Sequence, residues 1–129
     1  VHNGTDAEGN VAIYCNRNRL CFHARGGNSV SAGTEHMHLT TAENWTSRQL
    51  NASAWISAGD WEYRKIPHRR GLLGRGGGLV TVRRRGHVTH ESVSANAGFH
   101  DRSDPGEKYE ALMNEIRERA IFFRRHNRF

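Results

Sequence analysis

The stretch running from Asp104 to Arg125, DPGEKYEALMNEIRERAIFFRR, decides the fold class. Asp104 stands where a helix cap belongs, Pro105 suits the first helical position, and Glu107 completes a capping box. Tyr109, Leu112, Met113, Ile116, Ala120 and Phe123 then follow at helical spacing and share one face. Arg124 and Arg125 sit where cations favour the carboxyl end of the dipole. The pattern predicts an amphipathic helix over 104–125. One apolar stripe needs a surface to cover, and the segments upstream supply strands for it, so the expected class is α+β.

Working outward, Leu79-Val80-Thr81-Val82 reads as a strand and Arg83-Arg84-Arg85-Gly86 as its turn, with a further strand beginning at His87-Val88-Thr89-His90 and running to Val93. From Trp55 to Ile66 the pattern is strand-like: Trp61, Tyr63 and Lys65 alternate with Glu62, Arg64 and Ile66, and Pro67 closes the segment. Thr40-Thr41-Ala42-Glu43 has the capping-box form and opens a short helix to about Asn51. Val11–Tyr14 and Phe22–Ala24 flank a polar loop as the arms of a hairpin that residues 25–29 end, and residues 1–10 form a loose leading segment. The expected architecture is a single domain with a curved antiparallel sheet, a short helix, and the C-terminal helix packed on the sheet.

The chain has 129 residues, the size of one domain, and a net charge of +6 from 19 basic and 13 acidic residues. Only Lys65 and Lys108 are lysines, so the positive charge is almost all guanidinium, which suits flat two-pronged contact with phosphate or carboxylate. No apolar run approaches the ~18–20 residues of a membrane span, and a soluble protein without membrane partners is expected. The glycine-dense segment from Gly71 to Gly78 leads into a strand and lacks the Gly-Lys-Ser/Thr of a phosphate loop. No Gly-x-Ser-x-Gly elbow is present either.

Compartment is read from three features. The chain starts at Val1 without a leader-like segment, which fits a mature exported protein or a cut boundary. Glycosylation sequons occur at Asn3, Asn44 and Asn51. Cys15 and Cys21 frame a five-residue polar loop whose ends can reach disulfide separation. A secreted, disulfide-bonded protein is expected.

Glu62, Arg83 and His90 form the candidate catalytic set. On neighbouring strands they would meet on one face as base, phosphate clamp and acid, the groups that metal-free RNA cleavage needs. Gly86-His87-Val88-Thr89-His90, preceded by Leu79–Val82 and by Trp61-Glu62-Tyr63, resembles the catalytic strands of the small fungal guanyl-preferring ribonucleases and ribotoxins. That resemblance implies Glu62 as base and His90 as acid. Leu79 stands where that family's strand begins with arginine, so an arginine of 83–85 would serve from the other end. Trp61, Tyr63, Arg69, Arg70, Arg75, Arg84 and Arg85 supply the stacking and cationic groups of a single-stranded RNA surface. The expected activity is that of a secreted, ribonuclease-like toxin or effector acting on RNA or a host macromolecule without a cofactor. The alternative is a non-enzymatic secreted effector that binds an acidic host protein or glycan. His36-Met37-His38 with Glu43 resembles the first metal motif of cupins, but the second motif is not evident, and the segment is read as a solvated loop with no metal.

Overall fold

The computed structural model describes residues 1–16, 18–37, 45–103 and 110–126. The class is α+β. Strand β1 (Asn3–Thr5) lies between β2 (Val11–Ile13), antiparallel to it, and β3 (Thr34–His36), parallel to it. Residues 3–5, expected within a loose segment, are thus the centre of this sheet, and Thr5 has no exposed surface. Gly4 and Asn3 are poor strand formers, and it is pairing on both edges that holds them extended. A second sheet pairs β4 (Leu72–Gly74) with β5 (Thr81–Arg84), antiparallel with a register shift between Leu72 and Leu73. In place of one curved antiparallel sheet, then, the described residues form two small ones, the first of them mixed.

The larger correction concerns residues 55–66. They are not a strand: residues 55–64 are the second half of helix α1 (Ser47–Arg64). Thr46 caps it, its hydroxyl accepting from the Gln49 N–H at 3.1 Å, and Lys65 ends it in the left-handed region at φ 54°. Buried Leu50, Ala54 and Ile56 share this helix with buried Gln49 and Ser53, so both apolar and polar faces are covered and no single stripe marks it. The expected capping box at 40–43 lies outside the described residues.

The strand expected over 87–93 is likewise absent. Thr89 caps helix α2 (His90–Ala97), accepting from the Ser92 N–H at 3.1 Å. Gly98, at φ 90°, ends it in a backbone conformation that costs a residue bearing Cβ. The residues Phe22–Ala24 form no strand, so β2 pairs with β1 rather than with them.

Helix α3 (Glu110–Arg125) fulfils the amphipathic pattern, while its expected cap at Asp104–Glu107 lies outside the described residues. Its apolar face packs on α1 rather than on a sheet: Ile116 and Ala120 join Trp45, Leu50 and Ala54 in one core cluster, with Leu112, Met113 and Phe123 against it. Arg119 reinforces the pair, donating to the Ser47 carbonyl at 2.9 Å and the Asn51 Oδ1 at 2.9 Å. A second cluster, Ala24, Val80, Val93 and Ala97, joins the β4–β5 sheet to α2, with Leu73, Val88 and Phe99 beside it.

Candidate active site

Side chains from both clusters border a cavity of about 850 Å3, within the range of small-molecule sites. On α1 the polar residues Ser53, Ser57, Asp60 and Arg64 recur every three or four positions and so face it together. Asp60 and Arg64 form an ion pair at 2.8 Å. From β3, His36 enters the same wall: its ring stacks on Trp45 at 4.0 Å, and its Nε2 lies 2.6 Å from Ser53 Oγ. Ser53 Oγ is in turn 3.4 Å from the hydroxyl of Thr5. Around β5, Val80, Val82, Arg84, Arg85 and His87 line the cavity, and Val93 and Ile116 add apolar surface. The site therefore combines an apolar lining, four guanidinium groups (Arg19, Arg64, Arg84 and Arg85), one carboxylate (Asp60) and three imidazoles (His2, His36 and His87).

His87 is placed by a backbone device. Gly86 lies so close to the 69–71 segment that a Cβ there would be 2.3 Å from the Arg69 carbonyl oxygen, so only glycine fits. This approach lets the His87 N–H donate to Arg69 at 2.7 Å and the His87 carbonyl accept from Gly71 at 2.8 Å. The same bridge sets the His87 ring edge-on to His68, 5.8 Å between centroids. His68 is flanked by Trp61 at 6.2 Å, and the Arg124 guanidinium of α3 lies 3.9 Å from the Trp61 ring centre. Among the described residues, neither ring nitrogen of His68 has a hydrogen-bond partner.

Burial pushes His87 down from the usual 6.5 to about 4, helped by the charges of His68 and Arg117. Burial, then the charge of Arg124, brings His68 also to about 4. Both imidazoles are neutral at pH 7 and keep a lone pair free for a proton or an electrophile. The linkage to stability follows. Between pH 6.5 and 4 the unfolded chain binds protons that these two rings in the folded chain do not, so their contribution falls as pH falls through that window and is fully lost below about 4. Asp6 and Asp101, held low chiefly by hydrogen bonds from Asn10 and Ser94, add a further loss only below 3.8. Thermal melting from pH 7.5 to 4.5 should show a falling Tm, and His87→Gln should flatten that fall. An unchanged slope in the variant would contradict the assignment.

The candidate set read from sequence does not assemble as a ribonuclease face. Glu62 is on the exposed side of the last turn of α1, Arg83 on β5, and His90 at the first position of α2. None of the three lines the cavity. Trp61 and Tyr63 belong to α1, and Trp61 is covered by Arg124. Arg69, Arg70, Arg84 and Arg85 do cluster, and backbone carbonyls hold them: Arg84 donates to Arg70 at 3.0 Å, Arg69 to Arg85 at 3.0 Å, and Arg85 to Arg64. Arg75 is exposed in the loop after β4. The disulfide is present, with Cα atoms of Cys15 and Cys21 6.6 Å apart. His38, Glu43 and Asn44 lie outside the described residues, while Asn3 is in β1 and Asn51 is exposed on α1. The residue that the sequence reading passed over is His87, although a Gly-His pair following a strand marks a close backbone approach.

The family model described as N-acetylmuramoyl-L-alanine amidase matches residues 1–107. No curated protein and no solved structure matches the chain significantly. The match overturns the resemblance to ribonucleases and ribotoxins, and with it the RNA-cleaving toxin, the RNA-binding surface and the non-enzymatic effector. The short Gly-His-Val-Thr-His segment that carried the resemblance straddles a turn and a helix start here, not a catalytic strand.

Proposed function

We infer that this chain, which belongs to the N-acetylmuramoyl-L-alanine amidase family, hydrolyses the amide joining the lactyl carboxyl of N-acetylmuramic acid to the amino group of L-alanine in peptidoglycan. The family match over residues 1–107 carries the reading, and the cavity supports it. Amide hydrolysis needs an activated water, a positive environment for the tetrahedral oxyanion, and a proton for the departing amine. His87 offers an uncharged imidazole at the cavity wall, suited to accept a proton from water or to ligate an electrophile. His36 and Ser53, in hydrogen-bond contact at the same wall, form a second proton-handling pair. Arg64, Arg84 and Arg85 are matched to carboxylates of a peptide stem, and the apolar lining to its alanine. The products are a lactyl carboxylate and a free alanine ammonium group, which balances one water consumed. The same reading carries a location outside the cytoplasm as part of the proposal, and the disulfide is compatible with it.

The test incubates the purified chain with peptidoglycan and follows new N-terminal alanine and new reducing sugar separately. Free alanine amino groups should rise while reducing ends stay constant. Parallel assays after chelation and after adding back Zn2+ separate His87 acting as a base from His87 acting as a ligand. Release of reducing sugar alone, or no release of either under all three conditions, would overturn the amidase reading.

A further inference from the structure

Away from His87, the segment 15–21 brings together three side chains of a kind that hold soft metal ions. A ring nitrogen of His2 and the sulfurs of Cys15 and Cys21 all lie within 4.8 Å of one another. His2 is only 3% exposed and Cys21 only 6%, so the cluster is built into the fold. With the sulfurs joined, neither is a thiolate, and the trio has no anionic ligand. Both nitrogens of the His2 ring are meanwhile engaged: Nε2–H donates to the Arg19 carbonyl at 3.0 Å, and Nδ1 accepts from the Gly33 N–H at 3.3 Å. Arg19 itself belongs to the loop that the disulfide closes. A further contact anchors Cys21 whether or not the bond is intact: the Nδ1–H of His23 donates to the Cys21 carbonyl at 2.8 Å, and His23 Nε2 meets Ser31 Oγ at 2.8 Å. This is the kind of outer support that orients ligands.

We propose that Cys15, Cys21 and His2 form a redox-gated site for a soft divalent cation such as Zn2+, closed while the disulfide is intact and opened by a dithiol reductant. The dithiol delivers two electrons and two protons to the Cys15–Cys21 bond, leaving two thiols and its own disulfide. The cation then displaces both thiol protons to solvent and takes a lone pair from each sulfur and one from Nδ1 of His2, in place of the Gly33 N–H, while Nε2 keeps its proton. Two thiolates neutralise the charge of the ion, and a water completes four-coordination. The ion thereby replaces the covalent staple of the 16–20 loop, whose Asn18, Arg19 and Leu20 also border the large cavity. The proposal stands on the cluster alone and does not depend on the amidase reading.

The experiment uses the full chain, reduced with dithiol and then freed of it without oxygen, and titrated with Cd2+ as a spectroscopic probe of Zn2+. These are the chain's only two cysteines, so any thiolate-to-metal charge-transfer band reports on them. The reduced chain should give a band that saturates at one equivalent and is reversed by excess Zn2+, while the oxidised chain gives none. Cys15→Ser should weaken binding at least tenfold. His2→Gln should weaken it about tenfold while keeping the band. Absence of the band in the reduced chain, or equal binding by Cys15→Ser, would overturn the site. So would a reduced chain that loses its circular dichroism and does not regain it with metal.

Discussion

Replacing His87 with alanine should lower kcat/KM for release of N-terminal alanine from peptidoglycan by about 10²–10⁴, the usual contribution of a positioned acid, base or equivalent group. That corresponds to roughly 3–5 kcal/mol of transition-state stabilisation. The expectation rests on three properties that coincide at this residue: it lines the cavity, its ring is neutral at working pH, and its backbone is fixed on both sides by the 69–71 segment. The fold should survive, because His87 belongs to neither core cluster and the hydrogen bonds that fix it are made by its backbone. Near-ultraviolet dichroism checks this in the same samples. Glu62→Gln and His90→Ala, both outside the cavity lining, should stay within about twofold of the parent chain. If those two variants lost activity and His87→Ala did not, the assignment of the site would be wrong.

The second large effect is expected from Ile116→Ala. Ile116 is 3% exposed and sits where α3 meets α1, beside Ala54 and Ala120, neither of which has any exposed surface. Truncation removes apolar contacts from the middle of the α1–α3 seam, and the loss should reach about 2–5 kcal/mol, a large part of the stability of a domain this size. Urea denaturation should show the midpoint falling with little change in slope. Ile121→Ala, half-buried and outside the cluster, should cost far less. Equal costs at the two positions would mean that α3 does not pack as described.

How much of this was legible beforehand depends on where each element finds its partner. Helix α3 announces itself because only one of its faces is covered, so the apolar period stands out against Arg117, Glu118 and Arg125. Helix α1 conceals itself because its polar stripe is also buried: Gln49 donates to the Thr5 carbonyl at 3.1 Å, and Ser53 meets His36. With alanine and serine on most faces, the alternation of Trp61 and Tyr63 near its end was the loudest local signal, and it pointed to a strand. In α2, the β-branched Val88, Thr89 and Val93 masked a helix that the Thr89 cap and Gly98 define. The disulfide was readable because six residues of separation with a polar loop nearly dictate the closure. The character of His87 was not readable, since it comes first from burial, then from His68, nineteen residues earlier, and from Arg117 on helix α3. An imidazole among nine says nothing about which one will be dried out.

The pairing of α1 with α3 also bears on the order in which the molecule can be made. The face of α1 bearing Leu50 and Ala54 is synthesised early, yet its cover, Ile116 and Ala120, is translated more than fifty residues later. The β4–β5 sheet and α2 can close on each other as soon as residue 99 has emerged, because their cluster spans only residues 24–99. On the ribosome this half should therefore mature first, with α1 left as an open apolar surface until the last helix is released. During that interval the nascent chain is the form that holding chaperones would engage, and a pause placed after residue 99 would lengthen its exposure.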